Sequence, residues 1–197
     1  MEVILKNGVR IFTPQEYEAL RGVVRRDSSR AVLEALFFTG MRYVELQRLK
    51  KHREWLLRER ACVHLPADAQ RKPRRRWRER FVYLTPQGLA AVERLFSRNV
   101  RIPQRRVFNR AIRSWAEKAG IGVQGVCTKA LRKTWESWLV VSYPWAIDLI
   151  AMNMGHTNLT ALNHYLQLPF SDAEKERIKV YTAGWRGEDA RNRRDVG

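Results

Sequence analysis

The chain has 197 residues, 45% of them hydrophobic, with seven Trp, seven Phe and six Tyr: enough apolar bulk for one folded core, too much for disorder, and no linker that divides it in two. Its 38 Lys and Arg against 20 Asp and Glu leave a formal net charge of +18, a field that concentrates polyanions and makes nucleic acid the leading partner. No apolar run approaches the ~20 residues of a membrane-spanning helix, and the first residues lack a signal-peptide pattern. Cys62 and Cys127 lie far apart without CxxC spacing, which indicates neither a disulfide framework nor a zinc site, so a soluble protein of the cytoplasm with both cysteines in the core is expected.

After a short extended start, Thr13-Pro14-Gln15-Glu16 reads as a capping box with proline at the first helical position, and Tyr17, Leu20 and Val24 mark one helical face. Ser28 or Ser29 is suited to cap a second helix, Ala31 to Phe38, which is apolar almost all round and so belongs in the interior, with Gly40 as its stop. A third helix carries Arg42, Val44, Glu45, Leu46 and Leu49, the Arg42 and Glu45 side chains sharing a face three residues apart. The period then changes: Ala61 to Leu65 and Glu79 to Leu84 read as the two arms of a small antiparallel hairpin joined by a very basic connection, Arg71 to Arg80.

Helices are expected again from Thr85-Pro86 to about Ser97, from Arg105 to Ala119 with Gly120 as its end, from Thr128 to about Val141, from Pro144 to Met154, and from Asn158 to Leu166. A last amphipathic helix starts at the second capping box, Ser171 to Glu174, and reaches about Trp185. The fold class is therefore mainly α with one small antiparallel sheet, in a single domain over residues 1–185, followed by a disordered basic tail over 186–197.

Three fragments carry the chemistry: Thr39-Gly40-Met41-Arg42-Tyr43-Val44-Glu45-Leu46; Thr128-Lys129-Ala130-Leu131-Arg132-Lys133-Thr134; and Met154-Gly155-His156, with Tyr165 nine residues beyond the histidine. In order and spacing they resemble the tyrosine recombinase and phage integrase family, whose motifs are T-G-x-R-x-x-E-L, H-x-L-R-H-T, and L-G-H followed by tyrosine. The resemblance covers roughly residues 11–185. It implies a DNA breaking-rejoining enzyme fold and an activity that cleaves and rejoins double-stranded DNA through a 3′-phosphotyrosyl bond, with no metal or ATP. Most members also carry an amino-terminal domain that closes a clamp around DNA, and that domain falls outside the matched residues.

By the same resemblance, Arg42 and Arg132 clamp the scissile phosphate, a task suited to a planar fork that stays charged. Tyr165 is the nucleophile, His156 a donor to a non-bridging oxygen or a group that orients Tyr165, and Glu45 the residue that holds Arg42 or a neighbouring group in register. Lys72, the only lysine of the hairpin connection, is the candidate general acid for the departing 5′-oxygen. Lys129 stands where the family usually has histidine, as in some archaeal viral integrases; it still neutralises phosphate, so the exchange bears on proton transfer. Arg71, Arg74, Arg75, Arg76, Arg105 and Arg106 are candidate DNA contacts, and the helix holding the last two either binds phosphates or only keeps the domain soluble. The resemblance also implies assembly of copies on DNA through residues 171–185, integration of a viral genome, and residence at the host nucleoid.

Blander readings exist for each feature. The Arg71 to Arg80 run alone would be a solvated hairpin tip, and Gly155-His156 alone a helix stop with an incidental histidine; joint spacing argues otherwise. Tyr181, at the wrong interval for a nucleophile, is expected to pack the last helix against the core; Trp135, Trp138 and Trp145, at helical spacing, read as core residues rather than base-stacking platforms, and His52 and His164 belong to the surface. The rival function is a non-catalytic DNA-binding relative; relaxation of supercoils, as by a type IB topoisomerase, is a third reading with the same chemistry.

Overall fold

The computed structural model describes residues 3–69, 79–156 and 165–186. The extended start is a two-stranded hairpin, β1 (Leu5–Lys6) and β2 (Val9–Arg10). Asn7 and Gly8 at its tip both take positive φ, as a two-residue turn matched to strand twist requires. The hairpin is pinned to the chain ahead of the longest helix by Arg10, whose backbone N–H donates to the Gly125 carbonyl at 3.1 Å and whose guanidinium donates to the Gly122 carbonyl at 2.9 Å.

Helix α1 (Pro14–Gly22) begins as expected, the Thr13 hydroxyl accepting from the Glu16 N–H at 3.3 Å while the Glu16 carboxylate accepts from the Thr13 N–H at 3.1 Å. Helix α2 (Asp27–Thr39) starts earlier than the expected Ala31 and has no side-chain cap. Ser28 and Ser29 lie inside it. Its stability comes instead from burial: every residue from Ala31 to Thr39 is buried, and the helix packs between α4 (Pro86–Leu95) and α6 (Thr128–Ser142). Around it Tyr17 stacks on Phe37 with ring centroids 3.8 Å apart, and Phe38, Trp135, Trp138 and Tyr181 close an aromatic cluster. Trp135 and Trp138 are fully buried, Trp145 only partly.

After α3 (Tyr43–Leu49), β3 (Leu56–Leu57), β4 (Cys62–Leu65) and β5 (Arg80–Tyr83) form a three-stranded antiparallel sheet, Val63 opposite Val82 and Leu65 opposite Arg80. The expected hairpin is thus part of a slightly larger sheet, with β4 at its centre and β5 at one edge. Helix α5 (Arg105–Lys118) follows α4, and a single tight turn, Pro144–Ala146, leads into α7 (Ile147–Met154). Cys62 is buried, but Cys127, at the start of α6, is only half-buried.

The last helix, α8 (Asp172–Thr182), opens on the Ser171–Glu174 capping box and ends three residues short of Trp185. It folds back on its own chain, Ile178 and Thr182 buried and the Tyr143 hydroxyl donating to the Thr182 carbonyl at 2.7 Å. The Tyr181 hydroxyl donates to Glu18 at 2.8 Å, and the Trp185 indole N–H donates to the Tyr83 carbonyl at 3.2 Å. Most of the helix expected at Asn158 to Leu166 lies outside the described residues, as does the tail beyond Arg186, whose guanidinium sits over the Tyr83 ring at 4.3 Å.

Candidate active site

Two left-handed corners position the site. Gly40 ends α2 with φ 57°, and Gly155 ends α7 with φ 66°. At both, the positive φ strains any side chain; a Cβ at Gly40 would also have to displace Met154 Cε, 2.6 Å away, and one at Gly155 Arg80 Nη1, 2.5 Å away. The chain therefore turns sharply at both places, and the carbonyls near these corners face one another across α6.

Arg132, in the first half of α6, spans that gap. One guanidinium nitrogen donates to the Gly40 carbonyl at 2.5 Å and another to the Met154 carbonyl. Arg42 approaches the same corner, Nη2 lying 3.5 Å from the Gly155 carbonyl. Its other terminal nitrogen pairs with Glu45 Oε1 at 2.8 Å, while Glu45 Oε2 accepts from the Arg42 backbone N–H at 2.8 Å and from Arg80 Nη2 at 2.6 Å. Glu45 has no solvent exposure. Burial alone would push its carboxyl up, but Arg80 and Arg42 outweigh that and hold it below the usual carboxylate range. Arg80 itself, buried and crowded by the other two arginines, is pushed down to about 10 despite Glu45.

Opposite this cationic corner, Glu136 extends from α6 one turn beyond Arg132 and is 2% exposed. Its Oε1 lies 2.6 Å from His156 Nε2, and its Oε2 accepts from the Tyr165 hydroxyl at 2.9 Å. The His156 ring and the Glu136 carboxylate are thus in close contact, and the tautomer of His156 decides whether its Nε2 accepts from Arg132, 3.5 Å away. Burial opposes a charged Glu136, yet the adjoining His156 ring and the field of His156 and Arg132 hold its carboxyl below the ordinary range. The Tyr165 phenol is pushed up, first by burial and then by the Glu136 charge.

These groups open on one cleft of about 620 Å³, whose walls include Arg42, Arg105, Lys129, Arg132, Lys133, Glu136, His156 and Tyr165. Lys6 closes its edge from the amino-terminal hairpin, Nζ lying 3.2 Å from the centre of the Tyr165 ring, a cation–π distance. Lys133 fastens that hairpin, donating to the Lys6 carbonyl at 2.9 Å. Burial lowers both lysines, and each is raised in part by Glu136. A larger groove of about 1060 Å³ between the α1–α2 connection and α5 has no carboxylate, imidazole or thiol on its walls, which makes it a poor seat for chemistry. Among the described residues, no cluster of His, Cys, Asp and Glu could hold a metal, and no helix is long and apolar enough to cross a membrane.

Of the residues singled out in sequence, Arg42, Glu45, Lys129, Arg132, His156, Tyr165 and Arg105 come together here. Arg106 is exposed and not on the cleft wall, and Tyr181 and His52 lie where expected, in the aromatic cluster and at the surface. Lys72, Arg71, Arg74, Arg75, Arg76 and His164 lie outside the described residues. Sequence reasoning missed Glu136, Lys6, Lys133 and Arg80. The signal for two of them was present: Lys129, Arg132, Lys133 and Glu136 recur at three- and four-residue steps, a polar stripe on an otherwise buried helix.

Among solved structures, the crystal structure of XerA recombinase is similar in fold, with a TM-score of 0.59 at 19% identity over 93% of this chain, which spans 64% of the length of that one. No protein of curated function matches the chain in sequence. Residues 10–172, which hold every described element from the last residue of β2 to the first of α8, match the phage integrase family, and the chain belongs to that family of tyrosine recombinases.

Proposed function

We propose that this protein cuts and rejoins double-stranded DNA, holding the broken strand as a 3′-phosphotyrosyl bond on Tyr165. The observation that carries this reading is the convergence of the Tyr165 phenol, the His156 imidazole and the Arg132 and Arg42 guanidinium groups on one cleft. Attack on a phosphodiester builds negative charge on the non-bridging oxygens, and donors already fixed in place lower that barrier without reorganising. Arg132 is so fixed, by two backbone carbonyls. Arg42 is fixed by Glu45, which leaves its second terminal nitrogen aimed toward the Gly155 corner.

In this reading Arg42 and Arg132 hold the phosphate, His156 donates to it or steers Tyr165, and Lys129 adds charge at the mouth. The departing 5′-oxygen takes a proton from an ammonium group, with Lys72 assigned that part. Storing the phosphate on the phenol keeps the bond energy, so a different 5′-hydroxyl can reverse the step without a nucleotide cofactor. Arg105, Arg106, Arg71, Arg74, Arg75 and Arg76 track the flanking backbone. The strongly basic composition supports DNA as the substrate; residence at the host nucleoid and integration of a viral genome are the part of this reading that rests on the family resemblance alone. Helix α8 buries only Ile178 and Thr182 along its length, a lightly seated element suited to exchange between copies assembled on DNA.

The test is a pool of duplexes, randomised around a nick in one strand, that traps any covalent complex because the short 5′ fragment diffuses away. A protein–DNA adduct that disappears in Tyr165→Phe supports the enzyme, and sequencing the trapped DNA identifies its site. Binding without any adduct supports the non-catalytic DNA-binding relative instead.

A further inference from the structure

We propose that Glu136 is the proton acceptor for Tyr165, a catalytic carboxylate set inside a site otherwise built for anions. The proposal rests on the reading of Tyr165 as the nucleophile. As Tyr165 Oη bonds to phosphorus and the P–O5′ bond breaks, the phenolic proton passes to Glu136 Oε2 and the departing 5′-oxygen takes a proton from an ammonium group at the cleft. Rejoining runs the same transfers backwards: the attacking 5′-hydroxyl returns its proton to that amine, and Tyr165 recovers its own from Glu136. No electron changes hands.

Three observations support this. The Tyr165 hydroxyl donates to Glu136 at 2.9 Å, so the path for the proton is one hydrogen bond long. Glu136 does no visible structural duty: among the described residues its contacts at hydrogen-bond distance are the Tyr165 hydroxyl and the His156 ring, and it ties down no backbone group. A carboxylate that is 2% exposed is costly to keep, and it opposes phosphate in the same cleft. A residue with such a cost and no architectural partner is explained by what it does to the phenol.

Its ionised form is secured from every side that packs against it. His156 follows α7, Arg132 and Lys133 share α6, Lys6 reaches over from β1, and Tyr165 supplies the proton. Together they keep the carboxyl below its ordinary range, so Glu136 is ready to accept at neutral pH, while the phenol, pushed up by burial and by Glu136 itself, does not ionise before phosphate arrives. The raised phenol acidifies as its oxygen bonds to phosphorus, which is when the neighbouring acceptor matters.

The experiment measures single-turnover adduct formation on the nicked duplex recovered from the randomised pool, at saturating protein, from pH 5 to 9. Glu136→Gln is expected to slow the adduct by a factor on the order of 10², while duplex affinity is unchanged or tighter because a negative charge has left the cleft. Its rate keeps rising with pH where the unaltered protein has levelled off, since solvent hydroxide must now take the proton. Formate added to Glu136→Ala restores part of the rate. If Glu136→Gln does not fold by circular dichroism, Glu136→Asp, which withdraws the carboxylate by one methylene, serves instead and is slowed with its affinity kept. Adduct formation as fast as in the unaltered protein, or a loss of affinity that accounts for the whole defect, overturns the role of Glu136 and leaves Tyr165 as nucleophile. An unaltered protein that forms no adduct, or a Tyr165→Phe variant that still does, overturns the reading of Tyr165 and this inference with it.

Discussion

Replacing Glu45 with Gln tests whether the arginine corner is held together by one buried charge. Burial and the neighbouring arginines push Arg80 down to about 10 even with Glu45 in place, so its charge remains a burden on the fold. The sign follows from the direction: a base made easier to deprotonate in the fold penalises the folded state while it stays charged, and the penalty fades only as pH rises through about 10. Without the carboxylate, Arg80, whose side chain is 7% exposed, loses its ionic partner at 2.6 Å, and removing one member of a buried pair typically costs about 3–5 kcal/mol. For a chain of this size that lowers the melting temperature by roughly 10 °C.

Thermal and urea unfolding of Glu45→Gln, Arg80→Met and the double variant at pH 7 measure it. Arg80→Met alone is expected to cost little, because it removes the burden along with the charge, and the double variant is expected to recover most of the stability lost in Glu45→Gln. A Glu45→Gln protein within about 0.5 kcal/mol of the parent would refute the reasoning, since surface-like behaviour is incompatible with an uncompensated interior cation. So would a double variant no better than Glu45→Gln.

Three further outcomes are expected. Arg132→Lys, which keeps charge but loses the fork spanning the Gly40 and Met154 carbonyls, should slow adduct formation by about 10²–10³ while DNA affinity changes little; equal rates would show that the fork is not needed. Binding of duplex DNA should weaken steeply with salt, and Lys129→Ala should reduce the slope of log affinity against log salt by about one, as titrations by fluorescence anisotropy at several salt concentrations would show. Glu45 and Glu136 both titrate below the ordinary range, so their contribution to stability is full above about pH 4.3 and disappears as pH falls through the lower folded values; Glu136→Gln should flatten the acid limb of the unfolding curve, and an unchanged limb would count against the shift.

Much of this was legible in the residues, for local reasons. Thr13 with Glu16 and Ser171 with Glu174 announce helix starts because a capping box closes within four residues, and Gly40 and Gly155 announce stops because left-handed corners favour glycine. Arg42, Arg132, His156 and Tyr165 were visible through the resemblance of their three fragments to the integrase motifs. The start of α2 was not: Asp27 enters the helix without a cap because the aromatic cluster behind it supplies the stability that local signals lack. The outer strand, Leu56–Leu57, is too short to show a period. Glu136 escaped because its meaning depends on partners 20 and 29 residues further on, and a glutamate between two tryptophans reads in sequence as an interruption of the core. Arg80 and Glu45 are likewise unremarkable until strand β5 lies against α3 and α7. Lys6 was hidden in a start read only as extended, although Asn7-Gly8 is the commonest signal of a tight hairpin.

The anchoring of Arg132 carries evolutionary weight. Arg132 is anchored on main-chain oxygens of Gly40 and Met154, acceptors that survive almost any mutation that preserves the path of the backbone. Drift in the side chains of α7 is therefore tolerable so long as its final corner keeps its shape, whereas a single added methyl at Gly155 would dislodge the guanidinium of Arg80 packed against it. On the proposed reading, diversification toward new DNA sequences has room to proceed on the exposed basic face of α5 without disturbing the groups beneath.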